Sequence, residues 1–237
     1  MSVQFRGSTG EGSNIAEVHD DKSLRASIYN PRWTGSAGGR YRASLSTNLA
    51  TVISAITATG DVGQIGQFRW GSTTKTCLVD RMELEFVDIT KAGTLQSIRL
   101  GIRKVATHTA TATGGTTTAS LATIALLTGD SFKLRASYPT TALTDFRMTD
   151  TADLTCGAGA RALDPQDLIS LSARVSATAG ESIPNKVIWE SQGHPLVLTQ
   201  DTGLSVMNHV LWGATLTAKV TWALEWREIV NADLLTF

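Results

Sequence analysis

Three glutamates, Glu190, Glu225 and Glu228, stand close in the chain to the tryptophans Trp189 and Trp226. Carboxylates beside aromatic rings are the ingredients of sugar-binding and sugar-cleaving clefts. A glycosidase needs two of them about 5–10 Å apart across an open groove. Spacing alone does not supply that groove, and solvated carboxylates on strand faces are the reading taken. The four histidines, His19, His108, His194 and His209, show neither HxH nor HxxxH spacing. They are expected at surfaces and edges, His194 in a turn before Pro195 and His209 as a strand side chain. Cys77 and Cys156 lack a CxxC partner and read as a pair of thiols or at most one disulfide. So little cysteine fits folding in a reducing cytosol.

Gly60, Gly63 and Gly66 form GxxGxxG, but no strand-to-helix turn follows and no GK[ST] is present. Nucleotide-binding loops need those contexts. G-x-S-x-G is also missing. No catalytic residue, metal ligand or cofactor site is assigned, and no hydrolytic activity is expected. One cluster remains: Arg25, Arg32, Arg40 and Arg42 surround Trp33 and Tyr41. Arginines interleaved with aromatic rings suit a protein–protein anchor, so Arg25, Arg32, Trp33, Arg40, Tyr41 and Arg42 form the candidate interface.

Composition narrows the partners. Lys plus Arg and Asp plus Glu number 21 each, so no net field draws in nucleic acid or an anionic membrane. The charged fraction of 18% lies below the usual quarter, with Thr, Ser, Ala and Gly in its place. The N-terminus has no basic start followed by an apolar run, so no signal peptide is expected. No apolar run is long enough to suggest a spanning helix.

The elements that must position these residues are strands. From Leu216 every second residue is apolar through Ala218, Val220, Trp222, Leu224 and Trp226. This segment, 214–228, reads as a central strand with its rings in the core and Lys219, Thr221, Glu225 and Arg227 facing away. It is expected to pair back on its predecessor, 204–211, through Gly213. Segments 77–89 and 95–105 alternate too, around the turn at 91–93. They read as a hairpin with Leu78, Met82, Leu84 and Phe86 inward and Glu83 and Glu85 opposed to Arg99 and Arg103.

Further strands are expected at 66–72, 131–137, 143–149, 168–177, 186–190 and 195–200. Residues 48–60 fit a strand or a helical face, and β-branched content favours the strand. The stretches 106–123 and 153–168 read as loops. About ten short strands without a long helix predict an all-β fold, a jelly-roll-like antiparallel β-sandwich. Residues 41–237 form that domain. Residues 1–40, rich in glycine and thin in apolar anchors, read as an extended N-terminal arm. A neighbouring subunit, or its own domain's surface, is expected to order it.

The succession of motifs resembles a group of tailed-bacteriophage proteins encoded among virion structural genes. FRW (68–70) leads to CLVDRMELEF (77–86), the arginine-bearing strand and a TxTGGT loop (111–116). LRAS, RALDPQDL (161–168), HPLVLTQDTGL (194–204) and the closing KVxWxLEWxEI follow. The resemblance spans about residues 40–229 and implies a virion part with no enzyme activity. The favoured role is a capsid decoration (cement) protein, a homotrimer that binds the major capsid protein. The alternative is a tail-fibre, spike or baseplate-associated adhesin whose tryptophans and loop threonines meet host glycans. A polysaccharide hydrolase is the third reading. The resemblance places the protein in the virion, made in the host bacterial cytoplasm. No cofactor, direct nucleic-acid contact or membrane is expected, from the balanced charge and the missing motifs.

Overall fold

The protein was described from a computed structural model. It describes residues 17–18, 24–25, 40–49, 55, 63–90, 94–108, 110, 113–115, 117–118, 125–126, 141–149, 153–154, 161–177, 184–213 and 215–231. The chain divides into two units, Met1–Ala37 and Gly38–Phe237. In the first, β1 (Glu17–Val18) pairs antiparallel with β2 (Leu24–Arg25). Of the rest of the expected arm only Arg40 is described, and it belongs to the second unit as the first residue of a strand.

Among the described residues of the second unit the elements are strands: β3 (Arg40–Leu49), β4 (Gln64–Trp70), β5 (Lys75–Thr90), β6 (Gln96–His108), β7 (Thr117–Thr118), β8 (Ala125–Leu126), β9 (Asp145–Met148), β10 (Arg161–Val175), β11 (Asn185–Glu190), β12 (Leu196–Leu198), β13 (Thr202–Asn208) and β14 (Thr217–Val230). They form two antiparallel sheets. The front sheet runs β11-β5-β14-β3-β8, with β12 also on β5, and the back sheet runs β10-β6-β13-β4-β9-β7. No helix among the described residues is long and apolar enough to cross a membrane.

The sheets face each other as a sandwich, and aromatic rings knit them. Trp222 of β14 meets Phe146 of β9 edge-on at 5.0 Å, and Trp226 meets Phe68 of β4 at 5.5 Å. Gly66 of β4 is a glycine for this reason. A Cβ there would sit 2.9 Å from the Trp222 ring. Val220, Trp222, Leu224 and Trp226 are all buried, as the alternation predicts, while Lys219, Thr221, Glu225 and Arg227 face away. Each buried side chain contributes about 1.5–3 kcal/mol of gross driving force. β14 is central, flanked by β3 and β5.

Its expected partner is wrong. β14 lies in the front sheet and β13 in the back one, so the closing strand does not pair with its predecessor. The expected hairpin 77–89/95–105 is wrong for the same reason: β5 and β6 belong to opposite sheets. Both still bury their apolar faces, Leu84 and Phe86 from one side and Ile98, Leu100 and Ile102 from the other. Among the eight longer strands, β3, β4, β5, β6, β10, β11, β13 and β14, only β6 and β10 follow each other within one sheet.

Two local departures have backbone causes. Glu225 pairs with Arg81 and Trp226 with Val79, so Asp80 is the extra residue of a β-bulge. The bulge switches which β5 residues join the core cluster: Cys77 and Val79 before it, and Met82, Leu84 and Phe86 after it, while Leu78, also buried, lies outside that cluster. Residues 161–168, expected as loop, belong to β10. That strand lies at a sheet edge, and its register shifts around Pro165, where a missing N–H costs no ladder bond. Strand β3 ends at Leu49, and most of the ambiguous 48–60 segment lies outside the described residues, as does 131–137.

Candidate functional site

Glu225 and Glu228 lie three apart on one strand, which places them on opposite faces of the sheet. They cannot share a groove as an acid–base pair. Glu225 faces outward. Its carboxylate lies 3.9 Å from Arg40, 3.5 Å from Arg42 and 3.6 Å from Arg81. Glu190, outward on β11, sits 3.5 Å from the same Arg81. One arginine therefore bridges both carboxylates, and Arg42, Arg81, Glu83 and Glu225 line a shallow depression.

The register makes this a charge ladder. Arg42, Glu225, Arg81 and Glu190 are cross-strand partners in sequence along β3, β14, β5 and β11, so the signs alternate across four strands. Beside it, Glu83 pairs with Arg81 and with Lys186 at 2.9 Å. Burial works to raise the Glu83 carboxyl, but Lys186, Arg81 and Arg42 together hold it below the usual value. Arg227 clasps the bulge residue Asp80 with two bonds, at 2.7 and 2.9 Å. Ion pairs this accessible contribute about 0–1 kcal/mol each, so the ladder orders the face more than it stabilises the fold.

The candidate interface divides here. Arg40 and Arg42 point outward into the ladder, but Tyr41 between them points inward, buried and stacked on Trp226 at 5.6 Å. Tyr41 is a core residue, because strand alternation sends neighbours to opposite faces. Arg25 lies in β2, its side chain outside the described set together with Arg32 and Trp33.

Glu228 corrects the solvated reading. It continues the inward series two residues beyond Trp226, and its side chain is fully buried. The carboxylate accepts from Lys75 Nζ at 3.1 Å, the Ala142 backbone N–H at 2.9 Å and the Thr141 hydroxyl. The Trp226 indole N–H lies 3.5 Å away. Cys77 is its cross-strand partner and a free, buried thiol. Burial, with the Glu228 charge next, pushes both the Cys77 thiol and the Tyr41 hydroxyl well up. The position was legible: an alternation that buries Trp222, Leu224 and Trp226 also points residue 228 inward.

On the back sheet, Asp167 of β10 gathers Arg103 at 2.8 Å, Arg99 at 3.4 Å and His209 at 3.0 Å. Gly101 of β6 makes room, since a Cβ there would strike both Asp167 and His209. Burial lowers the His209 ring below its ordinary value, Asp167 opposes this, and Arg103 and Arg99 add to the lowering. Arg99 and Arg103 thus find their carboxylate in Asp167, not in the expected Glu83 and Glu85. His108 is fully buried in β6, against the expectation of surface histidines, while His194 is exposed in its turn. Asp145 is buried with Arg147 and Gln67, and burial raises its carboxyl despite both partners and Arg69. Among the described residues, no group of three or more His, Cys, Asp or Glu side chains is arranged to hold a metal ion.

No protein-family model and no curated protein matches the chain. Among solved structures, one described as "KBV activated particle at acidic pH" is similar at 8% identity, over 97% of this chain and 89% of that one. The TM-score is 0.22, too low for the likeness to bear on fold or function.

Proposed function

We propose that this chain is a non-enzymatic virion structural protein, a capsid decoration (cement) protein of the tailed-bacteriophage type that binds the major capsid protein. The observation that carries the reading is the strand order. The longer strands stand as β3-β14-β5-β11 and β4-β13-β6-β10, the order of two interlocked Greek keys in a jelly roll, an architecture used by viral capsid and lectin domains. Fold alone does not choose between those uses, and the aromatic rings favour the first. A glycan-binding surface needs open rings, whereas among the described tryptophans Trp70, Trp212, Trp222 and Trp226 are core and Trp189 is half-buried. The described interior is packed with apolar side chains, and the outward front face carries matched charges.

The test is to add the purified chain to particles assembled without it and to locate it by cryo-electron microscopy. Density on the head shell, with delayed thermal rupture of the heads, is the expected result. Density confined to the tail would replace this reading with the adhesin. Binding to neither would remove the chain from the virion.

A further inference from the structure

The charge ladder of the front sheet ends abruptly. Its last strand, β11, pairs with β5, and among the described residues no strand pairs with its far side. A strand edge that no other strand covers can take up an added strand through its backbone. The outward side chains of β11 are Lys186, Ile188 and Glu190. Lys186 is 42% exposed, Ile188 46% and Glu190 65%. A cation and a carboxylate thus flank a bare apolar residue at equal spacing.

We propose that β11 is a twofold self-association edge, where a second copy of this chain adds its own β11 antiparallel about Ile188. Antiparallel pairing centred on Ile188 sets Lys186 opposite Glu190 of the partner subunit and Glu190 opposite the partner's Lys186. Ile188 meets its own copy on the axis. Both charged rows then continue without a clash of sign. The row Arg42, Glu225, Arg81, Glu190 gains the partner's Lys186 as its next member. On the inward face, Val187 lies opposite the partner's Trp189, extending the apolar underside to which both residues already belong. Self-complementarity of this kind is what an isologous contact requires, and strand addition supplies main-chain bonds without a deep pocket. Matched cross-strand charges and an apolar pair are the favourable combinations at such a ladder. A twofold contact gives dimers, distinct from the trimer expected for the capsid role.

The experiment is sedimentation equilibrium on the full chain and on two variants, Lys186→Glu and Glu190→Lys. The natural chain is expected to form a concentration-dependent dimer that weakens with salt. Lys186→Glu leaves only carboxylates on the edge, and Glu190→Lys leaves only cations. Each alone is expected to raise the dimer dissociation constant at least tenfold, with unchanged circular dichroism. Mixed together, the two edges become complementary again, so an equimolar mixture is expected to recover a heterodimer. Ile188→Lys, which sets two cations on the axis, is expected to remain monomeric. A natural chain that stays monomeric up to its solubility limit overturns the proposal. So does a trimer insensitive to all three changes, or a mixture that fails to associate.

Discussion

The Glu228 carboxylate lies 3.1 Å from the Lys75 ammonium, with its own side chain fully buried at one end of the sandwich core. The pair ties β14 to the start of β5 through Oε2, and the Thr141 and Ala142 donors bring a third segment to Oε1 of the same carboxylate. A buried charge keeps its place only when its partners stay. Removing one member leaves the other, or the surrounding donors, without a counterpart.

Glu228→Ala is therefore expected to destabilise the domain by about 3–5 kcal/mol in urea unfolding. Lys75→Met, which leaves three donors on the carboxylate, is expected to cost about 1.5–3 kcal/mol, the range of a hydrogen bond to a charged group. Equal stability of the natural chain and Glu228→Ala would show the carboxylate to be solvated.

Trp222→Ala is expected to cost about 3–5 kcal/mol, because it empties the space between β14 and the back sheet. Trp222→Phe should cost less. Among the described residues the Trp222 indole N–H has no hydrogen-bond acceptor, so the ring is held by its shape. Thr221→Ala, on the opposite face, is expected to shift stability by under about 0.5 kcal/mol. A Trp222→Ala chain with an unchanged melting temperature would place the indole outside the core.

Gly66→Ala tests the close approach to Trp222. A methyl 2.9 Å from the ring must displace it, and overpacking of this kind costs about 1–3 kcal/mol. The double change Gly66→Ala with Trp222→Phe is expected to recover part of the loss, a coupling that a thermodynamic cycle measures.

His209 predicts an acid dependence. Burial lowers its folded-state value, so the unfolded chain takes up the proton first, near the ordinary value of 6.5. Stability contributed by the neutral ring is present above that pH and is lost as pH falls below it. His209→Gln is expected to flatten the melting-temperature profile between about pH 7.5 and 5 relative to the natural chain. Parallel profiles would show that the ring does not govern this window.

Cys77 should resist thiol reagents in the native state, since it is fully buried and its thiol is pushed up. Labelling is expected to follow global unfolding in urea, with the same midpoint as circular dichroism. Fast labelling without denaturant would mean that the end of β5 opens locally.

The side-chain period settled much of this protein before any coordinates. Alternation in 77–89, 95–105, 168–177 and 214–228 marks strands and tells which residues face inward, and each of these segments is a strand. It made Trp222 and Trp226 core residues and sent Glu225 to the opposite face. Extended one step along the same strand, it also buries Glu228. Alternation carries no information about the partner, however. Glu83 finds Arg81 and Lys186, and Arg99 finds Asp167, so both strands satisfy their charges in the sandwich as fully as in the expected hairpin. The connection between β5 and β6 can turn back within one sheet or cross to the other, since packed sheets lie only about 10 Å apart. What chose the crossing is nonlocal. β14 joins β5 along nearly its whole length, and its rings meet Phe68 and Phe146 from the facing sheet, contacts that exist only once both sheets are in place.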